Sequence, residues 1–188
     1  MELVSVQAVK HPKLLRYLAE RGLQSSDASP FLSGVYYKVS GKCFFALAFP
    51  NDAGGWELRN PYFKGCFAPK AITTIKGSDS HKLQLFEGFI DFLSWRKLHP
   101  EGQADSIMLN SLTLLPKLIP SLHAYTMIES FLDNDEAGDQ ATKQLIGAGL
   151  PVKDMRACYA PYKDVNEYLV QRLQGKKISP PRKRGLHR

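Results

Sequence analysis

Two short carboxylate motifs stand out by residue type and spacing. Glu87-Gly88-Phe89-Ile90-Asp91 sets two acids one helical turn apart, and Asp133-Asn134-Asp135 sets two acids on either side of an amide. Three unscreened acids drawn into one crevice repel one another, a cost that a hard divalent cation between them removes. Mg²⁺, or Mn²⁺ in its place, suits such a set. It prefers carboxylate oxygen, retains several waters and is completed by substrate phosphates. The chain has no Cys/His cluster of the kind zinc takes, so no zinc is expected. A metal held by Glu87, Asp133 and Asp135 would orient an attacking oxygen and neutralise charge developing on a phosphoryl group. An acid pair at a turn has an ordinary explanation too, as the cap of a helix N-terminus. The segment D-N-D-E-A-G-D also has the outline of a calcium loop. Its glycine is displaced, however, and the twelfth position counted from Asp133 is Gln144 rather than a bidentate Glu.

Acids gain functional weight when they stand at the carboxyl ends of parallel strands, because ligands of open α/β sheets bind there. From residue 81 onward, short apolar runs alternate with longer amphipathic segments, the pattern of a parallel sheet covered by helices. Strands are predicted at Lys82–Phe86, Ser106–Leu109, Ala124–Leu132 and Val152–Tyr159, and helices at 89–98, 112–121, 137–148 and 165–173. Glu87 and Asp133 then fall just past the first and third strands. Gly88 and Gly138 have the look of close-approach positions. Ahead of this region, HPKLLRYLAERG reads as one helix with Pro12 in its first turn and Gly22 as its stop. Residues 34–62 alternate aromatic and β-branched residues between breaks at Ser40-Gly41 and at 51–55, and read as a small antiparallel meander. The expected organisation is an α+β subdomain over 1–80, an α/β domain over 81–174 with the polar stretch 75–81 at the boundary, and a basic tail over 175–188.

The net charge of +7 is unevenly spread. Lys176, Lys177, Arg182, Lys183, Arg184 and Arg188 all lie in the tail, so the body is nearly neutral. The tail is rich in Pro and Gly, is expected to be disordered, and could add phosphate contacts without sequence preference. Three scattered cysteines, Cys43, Cys66 and Cys158, give neither a disulfide framework nor a zinc ribbon and read as reduced thiols. The N-terminus lacks the layout of a secretory signal, and no apolar run approaches the roughly 20 residues that a membrane helix needs. A cytoplasmic protein without membrane partners is expected. Trp56, Tyr36, Tyr37 and Phe63 could stack nucleic-acid bases, although aromatic residues of a small meander also build its core.

The two acid motifs, E-G-F-I-D at 87–91 and D-N-D-E-A-G-D at 133–139 with Ala141 behind, resemble the signature of Toprim domains. Y-K-D-V-N-E-Y-L at 162–169 is similar to the D-P-D-E-Y-L segment of bacterial-type DNA primases. G-G-W-E-L-R-N-P followed by A-P-K-A-I-T is loosely similar to the primase segment in which a Gly-Gly-Arg turn precedes a Pro-Lys motif. The resemblance is to the catalytic domain of those primases, without their zinc ribbon or helicase region. It implies a Toprim-type parallel sheet flanked by helices, with Asp133 and Asp135 holding metal and Glu87 acting as a general base or a metal-proximal acid. Asp91 would support them and Asp164 would add a further acid, while Asn166 stands where the family commonly has a second one. Arg59 and Lys70 would contact template or nucleotide phosphates. The implied partners are single-stranded DNA and ribonucleotides, with a helicase or a separate zinc-bearing replication protein. Three activities remain open: primer synthesis as in a mobile-element primase, metal-dependent strand cutting, and non-catalytic DNA binding.

Overall fold

In a computed structural model the structure describes residues 1–178, so the expected basic tail from residue 179 onward lies outside the described residues. Residues 175–178 continue the last helix. Two five-stranded sheets form. The first is an antiparallel meander of β1 (Glu2–Gln7), β2 (Ser33–Val39), β3 (Lys42–Pro50), β4 (Trp56–Asn60) and β5 (Phe63–Phe67), in that spatial order. Two of its hairpin turns, β2–β3 and β3–β4, follow from local chemistry. Ser40 and Gly41 take φ of 49° and 77°, the paired positive angles that suit the twist of a two-residue hairpin. The Asn51 side chain accepts hydrogen bonds from the backbone N–H groups of Ala53 and Gly55, which closes the second turn. β1 was not legible in advance, because all six of its residues are exposed and it pairs with β2 along one edge only.

The second sheet has the order β10 (Val152–Asp154), β9 (Met127–Phe131), β7 (Asp79–Phe86), β8 (Ala104–Met108), β6 (Thr73–Ile75). β7 to β10 run parallel, and β6 adds an antiparallel edge. The strand expected over 152–159 is shorter than its apolar character suggested. After Asp154 the chain turns through a 3₁₀ segment at Arg156–Cys158, and Asp154 accepts from the backbone and guanidinium of Arg156.

Alternation along β7 divides the core. Leu83 and Leu85 face α4 (Leu115–Leu122) and α5 (Glu136–Gly147). Phe86 faces α3 (Phe89–Leu98), α6 (Val165–Ile178) and α1 (Pro12–Glu20), in a cluster that also takes in Leu47 and Phe49 of the meander. The two sheets therefore share one core. α2 (Ser25–Ala28) is a single turn at its margin.

Asn166, only 1% exposed, locks three helices together. Its amide Nδ2 donates to the Arg21 carbonyl and to Ser94 Oγ, and its Oδ1 accepts from the Arg21 guanidinium. Its backbone N–H donates to Asp91 Oδ1. The residue that replaces a family acid is thus a structural latch among α1, α3 and α6. Asn166→Ala strips partners from buried polar groups and is expected to cost about 2–3 kcal/mol of stability, read as a lower urea midpoint. An unchanged midpoint would show that the latch carries no load.

Candidate metal centre

β7 and β9 are direct neighbours, with Phe86 opposite Phe131. Whatever follows each strand must emerge side by side at the carboxyl edge. Glu87 leaves β7, and Gly88 in extended conformation (φ −145°) caps α3, whose first turn carries Asp91. A side chain at Gly88 would meet Asp91 only at ordinary contact distance, so the close approach expected there is absent. Gly138 differs. A Cβ there would stand 2.0 Å from the Asp133 carbonyl oxygen, so only glycine lets α5 start under the acid loop.

Asp135 is the N-cap of α5, its Oδ1 accepting from Gly138 N–H at 3.0 Å. The ordinary capping role therefore holds alongside any metal role. The loop is stapled to the segment before α6: Asn134 N–H donates to the Lys163 carbonyl and Asn134 Nδ2 to the Tyr162 carbonyl, both at 2.7 Å. The buried Tyr159 hydroxyl donates to the Leu132 carbonyl just ahead of Asp133. Asp164 joins the same edge and accepts from Glu167 N–H at the start of α6.

The electrostatics are those of crowded acids. Burial and then the Asp133 charge raise the Glu87 pKa, while the Lys64 ammonium opposes them. Burial raises Asp91 well above the usual carboxylate range, with the charges of Asp164 and Asp133 adding to it. Asp133 is raised by burial, and Asp135 is lowered, first by the Gly138 N–H. Oε2 of Glu87 is buried, with no hydrogen-bond partner among the described residues.

Sequence reasoning did not single out two cations here. Lys163 Nζ lies 3.3 Å from Asp133 Oδ2 and 3.4 Å from Asp135 Oδ2, between the carboxylates where a metal was expected. Its place immediately before Asp164 in the Y-K-D motif was the available signal. Lys64, on β5 directly across from Arg59 of β4, carries its charge toward Glu87. Only the hairpin register reveals that. Arg59 shares that cross-strand position, while Lys70 is engaged elsewhere, in an ion pair with the buried Glu57 at 2.8 Å.

The expected acids thus reach one edge but not one point. Among the described residues no three His, Cys, Asp or Glu side chains stand close enough to hold a single ion. Like charges without an intervening dication spread apart, and the Lys163 ammonium screens two of them. The donors nevertheless fit a hard divalent cation. All are carboxylate oxygens, one is orphaned, and three have pKa values raised in the way cation binding would reverse.

Residues 84–169 match the Toprim-like family model. Over this segment the chain is similar to Toprim-like domains. Residues 3–68 match a domain of unknown function, DUF8464. The primase fragment of the bacteriophage T7 primase-helicase protein superposes with a TM-score of 0.61 at 19% identity, over 90% of this chain and 78% of that one. A T7 lagging-strand DNA polymerase structure with primase domains of two gp4 subunits bound to an RNA/DNA hybrid and dTTP gives 0.57 at 20% identity, over 85% of each chain. The Toprim-like domain and the meander together have the fold of that primase fragment. No curated sequence matches the chain.

Because Asp133 is raised, the folded state binds its proton more tightly than the unfolded chain does. Its contribution to stability is therefore lost as pH rises from the ordinary Asp value near 4 through the folded pKa. Without divalent cations, Asp133→Asn is expected to gain stability relative to the parent protein between pH 4 and pH 8, measured by urea unfolding. A gap that moves the other way would mean that the Lys163 ion pair outweighs burial.

Proposed function

We propose that the chain is a primase-like nucleotidyltransferase, joining ribonucleotides on single-stranded DNA at the Toprim-like carboxylate edge. The observation that carries this reading is the orphaned, buried Glu87 Oε2 beside Asp133, at the carboxyl ends of adjacent parallel strands. The overlap of 90% of the chain with a primase fragment supports it. A Mg²⁺ or Mn²⁺ ion bound by Asp133 and Asp135, with Glu87, Asp91 and Asp164 around it, would supply charge neutralisation and a scaffold for the phosphates.

The chain's own residues divide the remaining work. Glu87, with a raised pKa and an unpartnered oxygen, accepts the proton of the attacking sugar hydroxyl. Lys163, tethered by its backbone to the D-N-D loop and 57% exposed, is placed to exchange its carboxylate contacts for phosphate oxygens. Arg59 and Lys64 present cations from the facing sheet, on the side from which template or triphosphate would approach Glu87. Asp91 stands half-buried against the α6 N-terminus, accepting from Asn166 N–H, and positions rather than reacts.

The test supplies single-stranded DNA, labelled ribonucleotides and Mg²⁺ or Mn²⁺. Labelled oligomers are expected from the parent protein and should fall by about 100-fold or more in Glu87→Gln and Asp133→Asn. Strand cutting without synthesis would assign a nuclease instead. Binding without chemistry, unchanged by either substitution, would assign a non-catalytic role.

A further inference from the structure

The meander ends in a recess that the carboxylate chemistry does not use. β4 pairs with β3 only as far as Leu47, so residues 42–45 of β3 run past its end. The Asn60 amide donates to the Phe45 carbonyl and partly caps that free edge. A recess of about 660 Å³ opens beside it, lined by Tyr37, Val39, Phe44, Phe45, Tyr62 and Phe63. Tyr37 forms its floor, stacked with Phe44 at 5.8 Å and tilted against Phe63 at 6.4 Å. The rim is exposed: Tyr62 to 88%, Phe44 to 40% and Phe63 to 38%. Clustered aromatic faces left open to water mark a binding surface.

Charge identifies the occupant. Residues 33–50 and 60–63, which supply most of this surface, contain no Asp or Glu, and Lys42 stands across from Val39 on the face that carries Tyr37 and Phe44. Lys13 adds its side chain to the recess wall. Open aromatic rings beside Lys13 and Lys42, with no acid among the residues that line the recess, match the two demands of single-stranded nucleic acid: flat bases to stack and a polyanionic backbone to neutralise. The recess opens on the face of the meander that carries Tyr37, Phe44 and Phe63, which the strand pairings set opposite to the face carrying Leu47, Arg59 and Lys64.

We propose that this recess is a base-stacking seat for single-stranded DNA, in which Tyr62, Phe63 and Phe44 hold bases and Lys13 and Lys42 hold phosphates, on the meander rather than at the Toprim-like edge itself. The inference rests on the nucleic-acid reading of that edge and names where the template is gripped. It concerns binding alone and is measured without nucleotides or divalent ions.

Fluorescence anisotropy of a labelled oligothymidylate of about 20 nucleotides compares the parent protein with Tyr62→Ala and Tyr62→Phe at physiological salt. Tyr62 is too exposed for either change to disturb the fold. Tyr62→Ala is expected to weaken binding about tenfold and Tyr62→Phe less than about twofold, because the ring rather than the hydroxyl stacks. Equal affinity in Tyr62→Ala and the parent would overturn the proposal. So would a dimer in sedimentation that Tyr62→Ala dissociates while DNA affinity stays constant, since the recess would then seat a second copy of the chain. Failure of the catalytic reading looks different: no primer synthesis, yet oligonucleotide binding that still depends on Tyr62.

Discussion

Repulsion among carboxylates at the end of two neighbouring strands is the constraint around which the rest of the chain is arranged. β7 and β9 pair in parallel with Phe86 opposite Phe131, so Glu87 and Asp133 have to emerge together. Burial raises the cost of charge on Glu87, Asp91 and Asp133, and each sits within reach of another acid's field. Such an arrangement persists only where other parts of the fold support it. Gly138 lets α5 begin tightly beneath the loop and supplies a backbone donor to Asp135. Lys163 sets an ammonium between Asp133 and Asp135.

The surrounding architecture follows from holding that edge. α6 has to end its approach with Asp164 at the site and Asp91 beneath its first turn, and Asn166 secures this by tying α6 to α1 and α3. The meander then packs on the same core through Leu47 and Phe49, which turns its β4–β5 hairpin toward Glu87. Lys64, with Arg59 across the hairpin from it, thereby brings a cation toward Glu87 from another sheet. A crevice with carboxylates on one wall and cations on the other is suited to phosphate esters, because each wall answers a different part of the phosphate-metal pair.

Much of the Toprim-like domain was legible in the residues. Its strands alternate with helices at a spacing that only a parallel sheet satisfies, and Glu87, Asp91, Asp133 and Asp135 stand at the ends that such a sheet exposes. β1 was hidden because exposed edge strands carry no burial pattern, and the strand at 152–159 was overread because its apolar residues, Met155 and Tyr159, are buried in a turn rather than a ladder. Asn166 read as a lost ligand because its role lies in hydrogen bonds to residues distant in sequence. Lys163 and Lys64 escaped for a related reason: a lysine has no periodicity, and only folding brings its charge opposite an acid.

The central claim is that this edge binds a divalent cation through Asp133 and its neighbours. Titration with Mn²⁺, followed by the loss of the free-ion electron paramagnetic resonance signal, tests it without any substrate. Saturable binding is expected in the parent protein, weakened at least about tenfold in Asp133→Asn, since one carboxylate ligand of a hard cation is removed. Equal binding in both proteins, or none in either, would contradict the claim.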